Sequence, residues 1–447
     1  VLVNGAKLTM KKVLCLGAGL VARPYVQYLS DHGFHVKVAS RTKSKADRLV
    51  EGCKNTETVT FNIETDDDLL DNLIAEADLA CSLLPYTFHV KAAKIAIEYA
   101  TPFCTTSYIS PEMKELDEAA RSAGIPILNE CGVDPGIDHM SAMKIIDHVH
   151  KQDGKIRSFT SFTGGLPAPE ANNNPFGYKL SWSPRGVLLA GRNDAHFLRD
   201  GKEVKIPGAE LFDNYEIMEV PGIGKFEGYP NRDSMSFIDT YGIHETDTML
   251  RGTLRNLGWC ATLKKIADLG LLSLDEQNFD GMTVADMMYN IVNDREADLR
   301  DTVSNKIGLK KDDPILSRFE WLGLFSNQQI PDGINTHLDA LCNLFEQKLQ
   351  YAPGERDMIV MHHEFIAEYP DRKEKITSTM IDFGIPNGDS SMSRTVALPV
   401  AIASRMILDG SMKLVGVHRP VMPEVYEPIL NELENLDIKL EERVTPL

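Results

Sequence analysis

The chain has 447 residues, 43% of them hydrophobic and 25% charged, and carries a formal net charge of −18. No apolar run approaches the ~20 residues that cross a bilayer, and the negative charge opposes nonspecific binding to nucleic acid or to an anionic membrane surface. At about 150 residues per domain, this length predicts two or three domains.

Residues 1–9 precede Met10, which stands just before the first predicted strand, and they contain no secretion signal. We expect natural initiation at Met10 behind a foreign leader; the alternative is a piece cut from a longer polypeptide. The cysteines form no Cys-x-x-Cys pair, which predicts buried, reduced thiols in a cytoplasmic protein, with neither a disulfide framework nor a zinc site. They are Cys15, Cys53, Cys81, Cys104, Cys131, Cys260 and Cys342.

The first predicted strand, from Val13, breaks into a Gly-x-Gly-x-x-Ala turn followed by an amphipathic stretch. Gly17 permits a tight turn, Gly19 lets the backbone approach a pyrophosphate, and Ala22 allows the helix to pack closely on the strand. The N–H groups at the helix start would face the phosphates. This pattern predicts a dinucleotide-binding domain, although an ordinary turn between a core strand and a helix has the same sequence.

The second predicted strand ends in Ser40-Arg41-Thr42, where an NAD-binding chain usually places an acidic residue for the ribose 2′-hydroxyl. A guanidinium pairs bidentately with phosphate oxygens, so an arginine flanked by two hydroxyls favours NADP over NAD. In the alternative interpretation, Arg41 caps a turn in solvent among several neighbouring cations.

Apolar runs and amphipathic stretches then alternate, which predicts parallel strands in a Rossmann-type, doubly wound sheet. In chain order we predict a strand at Thr58–Asn62, a helix at Asp67–Ala75, a strand at Ala77–Leu84, a helix at Thr87–Tyr99, a strand at Phe103–Thr106, a helix at Pro111–Ala123 and a strand at Ile125–Glu130. Ligands of such sheets bind beyond the carboxyl ends of the strands. The candidate binding segments are therefore Pro85-Tyr86-Thr87, Ser107-Tyr108 and Cys131–Gly136.

The pattern changes after residue 150. A strand at Lys155–Phe162 precedes stretches rich in Gly, Pro and Asn, at Gly164–Glu170 and Asn174–Gly186, which are typical of loops over a sheet. Residues 262–350 have helical spacing and predict a mostly helical insertion. The Met-rich run Asp357–His363 predicts another strand, and Ser393–Leu408 predicts a long helix.

A set of ordered motifs lies at these loops: Leu84-Pro85-Tyr86-Thr87-Phe88-His89, Thr106-Ser107-Tyr108-Ile109-Ser110-Pro111, Gly132-Val133-Asp134-Pro135-Gly136-Ile137-Asp138-His139-Met140, Gly164–Glu170, Tyr229-Pro230-Asn231-Arg232-Asp233-Ser234, Arg251-Gly252-Thr253-Leu254-Arg255 and Glu355-Arg356-Asp357-Met358. In these motifs the chain closely resembles the glutamate-forming saccharopine dehydrogenase family, also called saccharopine reductases. The resemblance runs from Val13 to Glu441.

The resemblance implies a reaction that interconverts saccharopine, NADP and water with glutamate, 2-aminoadipate semialdehyde and NADPH, in lysine metabolism. It also implies a homodimer and an α/β fold: a Rossmann-type doubly wound parallel sheet plus a mixed α/β substrate domain with a helical insertion. We expect an NADP-binding domain at 10–133, joined by 393–447. Residues 134–261 and 351–392 would then form the substrate-binding and dimerisation domain, and 262–350 the insertion.

The residues agree with such a substrate. Saccharopine carries several carboxylates, so a chain of net charge −18 needs a local cluster of cations to bind it. Arginine suits this role because its planar fork binds carboxylates bidentately and keeps its charge when desolvated. Candidates are Arg232, Arg251 and Arg255, with Lys179 and Arg185 in the preceding loop. Any one of them also fits a solvated face or a structural ion pair.

Carried over position by position, the resemblance assigns saccharopine binding to Ser107, Tyr108, Asp134, Arg232, Thr253, Leu254 and Arg255. It assigns cofactor binding to Gly17, Gly19, Leu20, Val21, Ala22, Arg23, Ser40, Arg41, Thr42, Asn62, Ile63, Leu83, Leu84, Pro85, Asp134, Pro135, Gly136 and Trp182. Two positions depart from the family pattern: Thr163 follows Ser161-Phe162 where relatives have a cysteine, and Asn62 stands where relatives often have aspartate. An essential role for that cysteine is therefore excluded here.

For proton management during imine formation, Asp134 is the first candidate and Tyr108 the second. Asp134 precedes a predicted helix start near Pro135, so the alternative interpretation is a helix N-cap. His139 is a further candidate for titration near neutral pH, but a histidine in an apolar helix is more often packed. The pair His362-His363 lacks ligands at metal spacing, and we predict no metal site.

Two rival functions remain at this level. A related enzyme would couple an amine with another aldehyde, as in carboxynorspermidine synthesis, but a polyamine-like substrate needs acidic residues in place of arginines. A non-catalytic NADP-binding regulator would have an empty or apolar second site. The sequence does not distinguish the biosynthetic from the catabolic direction.

Overall fold

The computed structural model describes residues 10–447. Residues 1–9, and the leader predicted there, lie outside the described residues. Two compact units make up the chain. The first unit ends at Gln152 and resumes at Gly388–Leu440, and the second unit comprises Asp153–Asn387 and Glu441–Leu447.

The strands in chain order are β1 (Lys12–Leu16), β2 (His35–Ser40), β3 (Thr56–Thr60), β4 (Leu79–Ser82), β5 (Phe103–Thr105), β6 (Pro126–Leu128), β7 (Lys155–Pro167), β8 (Ala195–Arg199), β9 (Lys202–Ile206), β10 (Glu216–Val220), β11 (Gly224–Pro230), β12 (Thr248–Arg255), β13 (Asp357–Glu368), β14 (Lys373–Phe383), β15 (Gly416–His418) and β16 (Glu441–Pro446).

The helices are α1 (Arg23–Asp31), α2 (Lys43–Leu49), α3 (Asp67–Ala75), α4 (His89–Glu98), α5 (Pro111–Lys114), α6 (Asp117–Ala123), α7 (Ile137–His150), α8 (Pro184–Ala190), α9 (Ser236–Tyr241), α10 (Trp259–Asp268), α11 (Val284–Val292), α12 (Leu299–Lys306), α13 (Pro314–Leu322), α14 (His337–Lys348), α15 (Ser391–Asp409) and α16 (Pro423–Asn435). None of those helices is long and apolar enough to cross a bilayer.

The first unit contains a seven-stranded sheet in the order β15-β6-β5-β4-β1-β2-β3. Every neighbouring pair in it is parallel. The chain runs outward from β1 to β3 on one side and from β4 to β6 on the other, which is the order of a doubly wound sheet. The predicted fold class is confirmed, and the carboxyl ends of β1 and β4 adjoin at the switch point.

Two elements of the first unit show how local chemistry shapes them. Val13–Leu16 is buried because β1 is covered on both faces, as a central parallel strand must be. The helix predicted at Pro111–Ala123 is instead two helices, α5 and α6. The N–H of Leu116 bonds to the carbonyl of Met113, three residues back, and this tighter turn ends α5 before α6 begins.

The second unit contains a nine-stranded mixed sheet along the path β10-β11-β12-β7-β13-β14-β16, with β8 and β9 joined to it at β12. β12 and β7 are parallel, and the other pairs are antiparallel. The helical character predicted for 262–350 is observed in α10 to α14. Leu254 and Phe162 from the sheet share one core with Leu263, Phe319 and Phe345 from these helices.

The loop predicted at Gly164–Glu170 is wrong over its first half, because β7 continues to Pro167. Gly164 lies in the strand next to β12, and a Cβ there would come within 2.6 Å of the Leu254 carbonyl oxygen. The glycine therefore serves a close approach of two strands, not a turn. The predicted strand at Asp357–His363 also continues, to Glu368.

All seven cysteines are free thiols, and all except Cys53 are buried. Burial raises the pKa of the Cys15 and Cys104 thiols to about 12. These groups are therefore protonated and unreactive at neutral pH, as the sequence predicted for buried thiols.

Candidate active site

The glycine-rich turn after β1 has the geometry of an anion site. Gly17 has φ +110°, and a Cβ added there would lie 3.0 Å from the Leu83 carbonyl oxygen, so a side chain is excluded. A Cβ added at Gly19 meets no atom within 4 Å, so its backbone faces open space. α1 begins after Ala22 without a side-chain cap, which leaves its first N–H groups available to a phosphate.

Leu20 and Arg23 border this turn. Leu20 is exposed, and the guanidinium of Arg23 donates from Nη1 to both carboxylate oxygens of Asp389 at 3.0 and 2.9 Å. The charge of Arg23 is therefore already matched. Its main contribution to an anion site is the backbone at the start of α1.

Arg41 is the exposed cation at the tip of β2. Its side chain is 73% accessible, and the nearest carboxylate, that of Glu64, lies 3.7 Å away. No side-chain hydrogen bond of Arg41 to the described residues is present, so its guanidinium is open to solvent. Thr42 is the N-cap residue of α2, and its N–H donates to Ser40 Oγ at 3.4 Å. An open guanidinium beside two hydroxyls fits a ribose 2′-phosphate.

The remaining cofactor candidates follow β3 and β4 on the same edge of the sheet. Ile63 is buried, and Asn62 Oδ1 accepts from the Glu64 N–H at 3.2 Å. The Leu83 N–H donates to the Leu16 carbonyl at 2.8 Å, which holds Leu83–Pro85 against the glycine-rich turn. The structure thus brings the segments after β1 and β4 together.

Tyr108 and Asp134 form a pair in the first unit. The Tyr108 hydroxyl donates to Asp134 Oδ1 at 3.1 Å. Gly136 has φ +147°, and a Cβ there would come within 2.0 Å of the Gly132 carbonyl oxygen, so the loop that carries Asp134 is tightly closed. α7 begins at Ile137 with Gly136 as its N-cap, so Asp134 is not the helix cap and the predicted start near Pro135 was early.

A buried charged cluster stands behind this pair. His139 Nε2 lies 2.8 Å from Glu130 Oε2, and Arg419 lies 3.1 Å from Glu130 Oε1. Glu130 also accepts from the N–H of Ile109, next to Tyr108, at 3.0 Å. Burial raises the pKa of Glu130, but the hydrogen bonds and charges of its partners outweigh that effect and leave the pKa lowered. His139 is the packed histidine that the apolar helix indicated.

In the second unit, Arg255 ends β12 and is buried, with 5% of its surface exposed. Its Nη1 donates to the Leu254 carbonyl, and its guanidinium lies over the rings of Tyr178 and Trp259, at 5.1 and 5.5 Å from their centroids. Within residues 10–447 no carboxylate lies within 4 Å of it. The opposing Glu227 instead accepts from the N–H groups of Gly258 and Cys260.

Several buried polar atoms of the second unit, two of them on the rings beside Arg255, have no hydrogen-bond partner among the described residues. They are Arg255 Nε, Tyr178 Oη, Trp259 Nε1, Tyr351 Oη, Ser181 Oγ and Thr163 Oγ1. Buried polar groups are normally satisfied, so these atoms are available to a polar ligand. Sequence reasoning missed Tyr178, Trp259 and Tyr351; the available signal was aromatic residues interleaved with glycine and proline before and after Arg255.

The other substrate candidates of the second unit differ in accessibility. Arg232 is exposed and has φ +55°, whereas Arg251 is buried with its guanidinium 4.2 Å from the Phe237 ring centroid. Thr253 is half-buried and pairs with Thr163 across β12 and β7. Leu254 packs into the core, so only its backbone remains for a ligand.

Lys179 and Arg185 do not belong to a free cation cluster, contrary to prediction. Lys179 is buried and pairs with Glu355, and Arg185 pairs with Asp339. Glu355 also accepts from Asn173 and from the Ala352 N–H, both at 2.7 Å. The hydrogen bond from Lys179 is the main reason that the pKa of Glu355 falls to about 2.

Trp182, the remaining cofactor candidate, is half-buried and covers the start of α8, where a Cβ on Gly186 would come within 2.5 Å of its ring. His362 bonds through Nδ1 to Thr379, and burial lowers its pKa. Across the described part of the chain, no group of three or more His, Cys, Asp or Glu side chains is arranged to hold a metal ion.

Residues 13–128 match the family model for the saccharopine dehydrogenase NADP binding domain, and residues 132–438 match that for the saccharopine dehydrogenase C-terminal domain. The chain is 41% identical to the NADP(+), L-glutamate-forming saccharopine dehydrogenase of Schizosaccharomyces pombe, over 97% of this chain and 99% of that protein. It is 38% identical to the mitochondrial alpha-aminoadipic semialdehyde synthase of Bos taurus, over 95% of this chain and 47% of that protein.

Among solved structures, the apo L-Glu-forming saccharopine dehydrogenase of Saccharomyces cerevisiae superposes with a TM-score of 0.88, at 40% identity over 97% of this chain and all of that one (100%). The homospermidine synthase of Legionella pneumophila superposes with a TM-score of 0.59 at 10% identity, over 98% and 92% of the two chains. The latter similarity shows a shared fold.

The exposure of Arg41 predicts cofactor preference. Arg41→Ala should raise the KM for NADP about tenfold to a hundredfold and leave that for NAD nearly unchanged, because a charge-assisted bidentate contact contributes about 1.5–3 kcal/mol. Steady-state kinetics with both cofactors measure this. Lys45→Ala is the matched control, since it removes an exposed cation of α2 three residues beyond Ser40-Arg41-Thr42. Equal efficiency of the unmodified protein with NAD and NADP would refute the assignment.

The Lys179–Glu355 pair predicts a pH-dependent stability. Glu355→Gln should destabilise the protein by about 3 kcal/mol at pH 7, because it leaves Lys179 buried without its partner. The folded pKa of Glu355, about 2, lies below the ordinary 4.5, so the stabilisation is complete above pH 4.5 and is lost as the pH falls toward 2. Melting temperatures of both proteins should therefore converge in acid. The exposed pair of Lys439 and Asp437 supplies a control, and Asp437→Asn should change little.

Proposed function

The chain belongs to the saccharopine dehydrogenase family, and on that premise we propose that it interconverts L-saccharopine, NADP and water with L-glutamate, L-2-aminoadipate 6-semialdehyde and NADPH. One observation supports an anionic substrate. Arg255 is a buried cation with no carboxylate within 4 Å among residues 10–447. Burial of an unpaired charge is costly, so the position is suited to an anionic ligand.

Bound NADP or NADPH would supply hydride transfer from or to the substrate carbon that bears the secondary amine. The backbone after β1 would hold the dinucleotide, with Gly17 forming the tight turn and Gly19 open to the pyrophosphate. Arg41, with Ser40 and Thr42, binds the 2′-phosphate. The other cofactor candidates complete this set: Leu20, Val21, Ala22, Arg23, Asn62, Ile63, Leu83, Leu84, Pro85, Asp134, Pro135, Gly136 and Trp182.

In the second unit, Arg255 and Arg232 bind substrate carboxylates. The aromatic rings beneath Arg255 hold its guanidinium flat without neutralising it, because a ring face attracts a cation but accepts no salt bridge. The hydroxyl of Thr253 and the backbone of Leu254 add neutral hydrogen-bonding groups on the same strand. Bidentate pairing to a planar fork then fixes the orientation of the substrate.

In the first unit, Asp134 binds the substrate amine and moves protons during formation and hydrolysis of the imine. The Tyr108 hydroxyl donates to Asp134, which orients the carboxylate and stabilises its charged form. Ser107 supplies a further hydroxyl next to this pair. The half-buried position of Asp134 keeps the carboxylate within reach of a ligand.

The rival functions have less support. A carboxynorspermidine-type enzyme would bind a polycation, and the buried arginine and the exposed Arg232 repel one. A regulator without turnover needs no second polar site, whereas the second unit has unpaired buried polar atoms beside Arg255, which supports a binding site for a polar substrate. Saccharopine-dependent NADP reduction, compared with a panel of other amino acids, tests the function directly. The function is refuted if saccharopine does not support NADP reduction while another amino acid of the panel does.

The division of labour along the chain is also a proposal. Residues 10–133 with 393–447 bind NADP, except that β16 belongs to the sheet of the second unit. Residues 134–261 and 351–392 bind substrate and form a homodimer, and residues 262–350 are a helical insertion. The protein acts in the cytoplasm, which its free thiols favour, and binds neither nucleic acid nor membrane, which its net charge of −18 opposes. Light scattering on the purified protein measures the dimer.

The arginines predict a carboxylate clamp. Arg255→Lys and Arg232→Lys keep the charge and lose the fork, so each should weaken saccharopine binding by about 1–3 kcal/mol while NADP affinity stays unchanged. The saccharopine KM, NADPH dissociation and the melting temperature measure the three effects. Arg185→Lys is the control, because its ion pair with Asp339 lies outside the proposed clamp.

A structural role for the two arginines gives the opposite result. The melting temperature and cofactor binding would then fall together with substrate binding. Unaltered saccharopine kinetics in both variants would end the clamp hypothesis, even if the control behaved as expected.

The Tyr108–Asp134 hydrogen bond predicts coupled kinetics. Asp134→Asn should lower kcat by about a hundredfold or more, as expected for loss of a positioned acid or base, and Tyr108→Phe should lower it by less. Because Tyr108 acts through Asp134, the double variant should be no slower than Asp134→Asn alone. Tyr99→Phe, on an exposed tyrosine of the first unit, is the control. If Asp134→Asn raises only the saccharopine KM, the residue binds substrate without proton transfer.

A further inference from the structure

His89 occupies an unusual position in the first unit. It is the first residue of α4, is only 3% exposed, and closes the motif Leu84–His89 that follows β4. Both of its ring nitrogens face hydroxyl groups. Nδ1 lies 2.9 Å from Ser82 Oγ, and Nε2 lies 2.9 Å from Ser107 Oγ and 3.0 Å from Thr105 Oγ1.

These hydroxyls come from two adjacent strands. Ser82 pairs in register with Thr105 across β4 and β5, and Ser107 follows β5 by two residues. The imidazole therefore bridges the carboxyl ends of both strands, at the edge where parallel sheets bind ligands. Of the four side chains, His89, Ser82 and Thr105 are buried, and Ser107 is half-buried. Only Ser107 is accessible to a ligand.

The charge state of His89 follows from its surroundings. Burial lowers its pKa to about 4, so the ring is neutral at physiological pH. A neutral imidazole has one N–H donor and one acceptor nitrogen. Nε2 faces two oxygen atoms at nearly equal distances, an arrangement that suits one N–H shared in a three-centre hydrogen bond. Ser82, which has no other side-chain partner among the described residues, then donates to Nδ1.

We propose that His89 is a positioning residue for the substrate: its Nε2–H donates to Ser107 Oγ, fixes that rotamer and leaves the Ser107 proton free to donate to a substrate carboxylate. The proposal rests on the proposed function, since it assigns Ser107 to the same substrate. In the opposite tautomer, Nε2 would accept, and the Ser107 proton would be drawn toward the ring. The hydroxyl would then present lone pairs to the carboxylate and repel it.

The test compares two amide substitutions. The amide nitrogen of glutamine reaches the place of Nε2, whereas that of asparagine reaches only the place of Nδ1. His89→Asn should raise the saccharopine KM about tenfold, the effect of losing one hydrogen bond to a charged group, with little change in the NADP KM. His89→Gln should restore most of the affinity. Adding Ser107→Ala to His89→Asn should cause no further loss, because both act on one contact.

Ser82→Ala provides a second line of evidence. It introduces no steric clash and removes only the hydroxyl that bonds to His89 Nδ1. It should raise the saccharopine KM in the same direction, by about twofold to fivefold. Equal effects of His89→Asn and His89→Gln, a parallel rise in the NADP KM, or unaltered kinetics in Ser82→Ala would overturn the proposal. If the unmodified protein reduces no NADP with saccharopine, the proposed function fails instead, and the two failures are thereby distinguished.

Discussion

Parallel pairing in the seven-stranded sheet is the constraint on which the first unit depends. Because all its strands run in the same direction, every strand ends at one edge, and the residues that follow the ends are brought together whatever their separation in sequence. Gly17 follows β1, Arg41 follows β2, Leu83 follows β4 and Ser107 follows β5. Each loop after a strand thus adds one chemical group to a common surface. The buried strands provide the rigid support for that surface.

Charge compensation distinguishes structural cations from those that remain for ligands. Arg23 pairs with Asp389, and Lys179 pairs with Glu355, so the charge of each is already matched inside the folded chain. Arg41 is highly exposed and has a loose contact with the Glu64 carboxylate at 3.7 Å, whereas Arg255 rests on aromatic rings with no carboxylate within 4 Å among the described residues. In a protein with an excess of acidic residues, most cations can find a carboxylate partner. A buried cation that has none is therefore a candidate for ligand binding.

Local patterns in the sequence predicted the parallel sheet, the glycine-rich turn and the long helix α15, since each is specified by neighbours along the chain. The predictions were wrong where contacts between segments far apart in the sequence determine the local structure. Gly164 has the composition of a turn, yet it is a strand residue because the Leu254 backbone passes close by. The partner of Lys179 lies 176 residues away, and the unpaired hydroxyls of Tyr178 and Tyr351 become recognisable only after folding.

The first unit contains chain from both sides of the second, and this has a consequence for biosynthesis. The edge strand β15 and the helix α15, which bonds through Ser404 to Tyr25 of α1, lie beyond residue 387. On a translating ribosome, the strands β1 to β6 are synthesised first. More than two hundred residues of the second unit follow before β15 is made and the first sheet is complete. Until then the apolar side of α1 lacks the cover that α15 provides, and exposed apolar surface of this kind favours aggregation of a nascent chain.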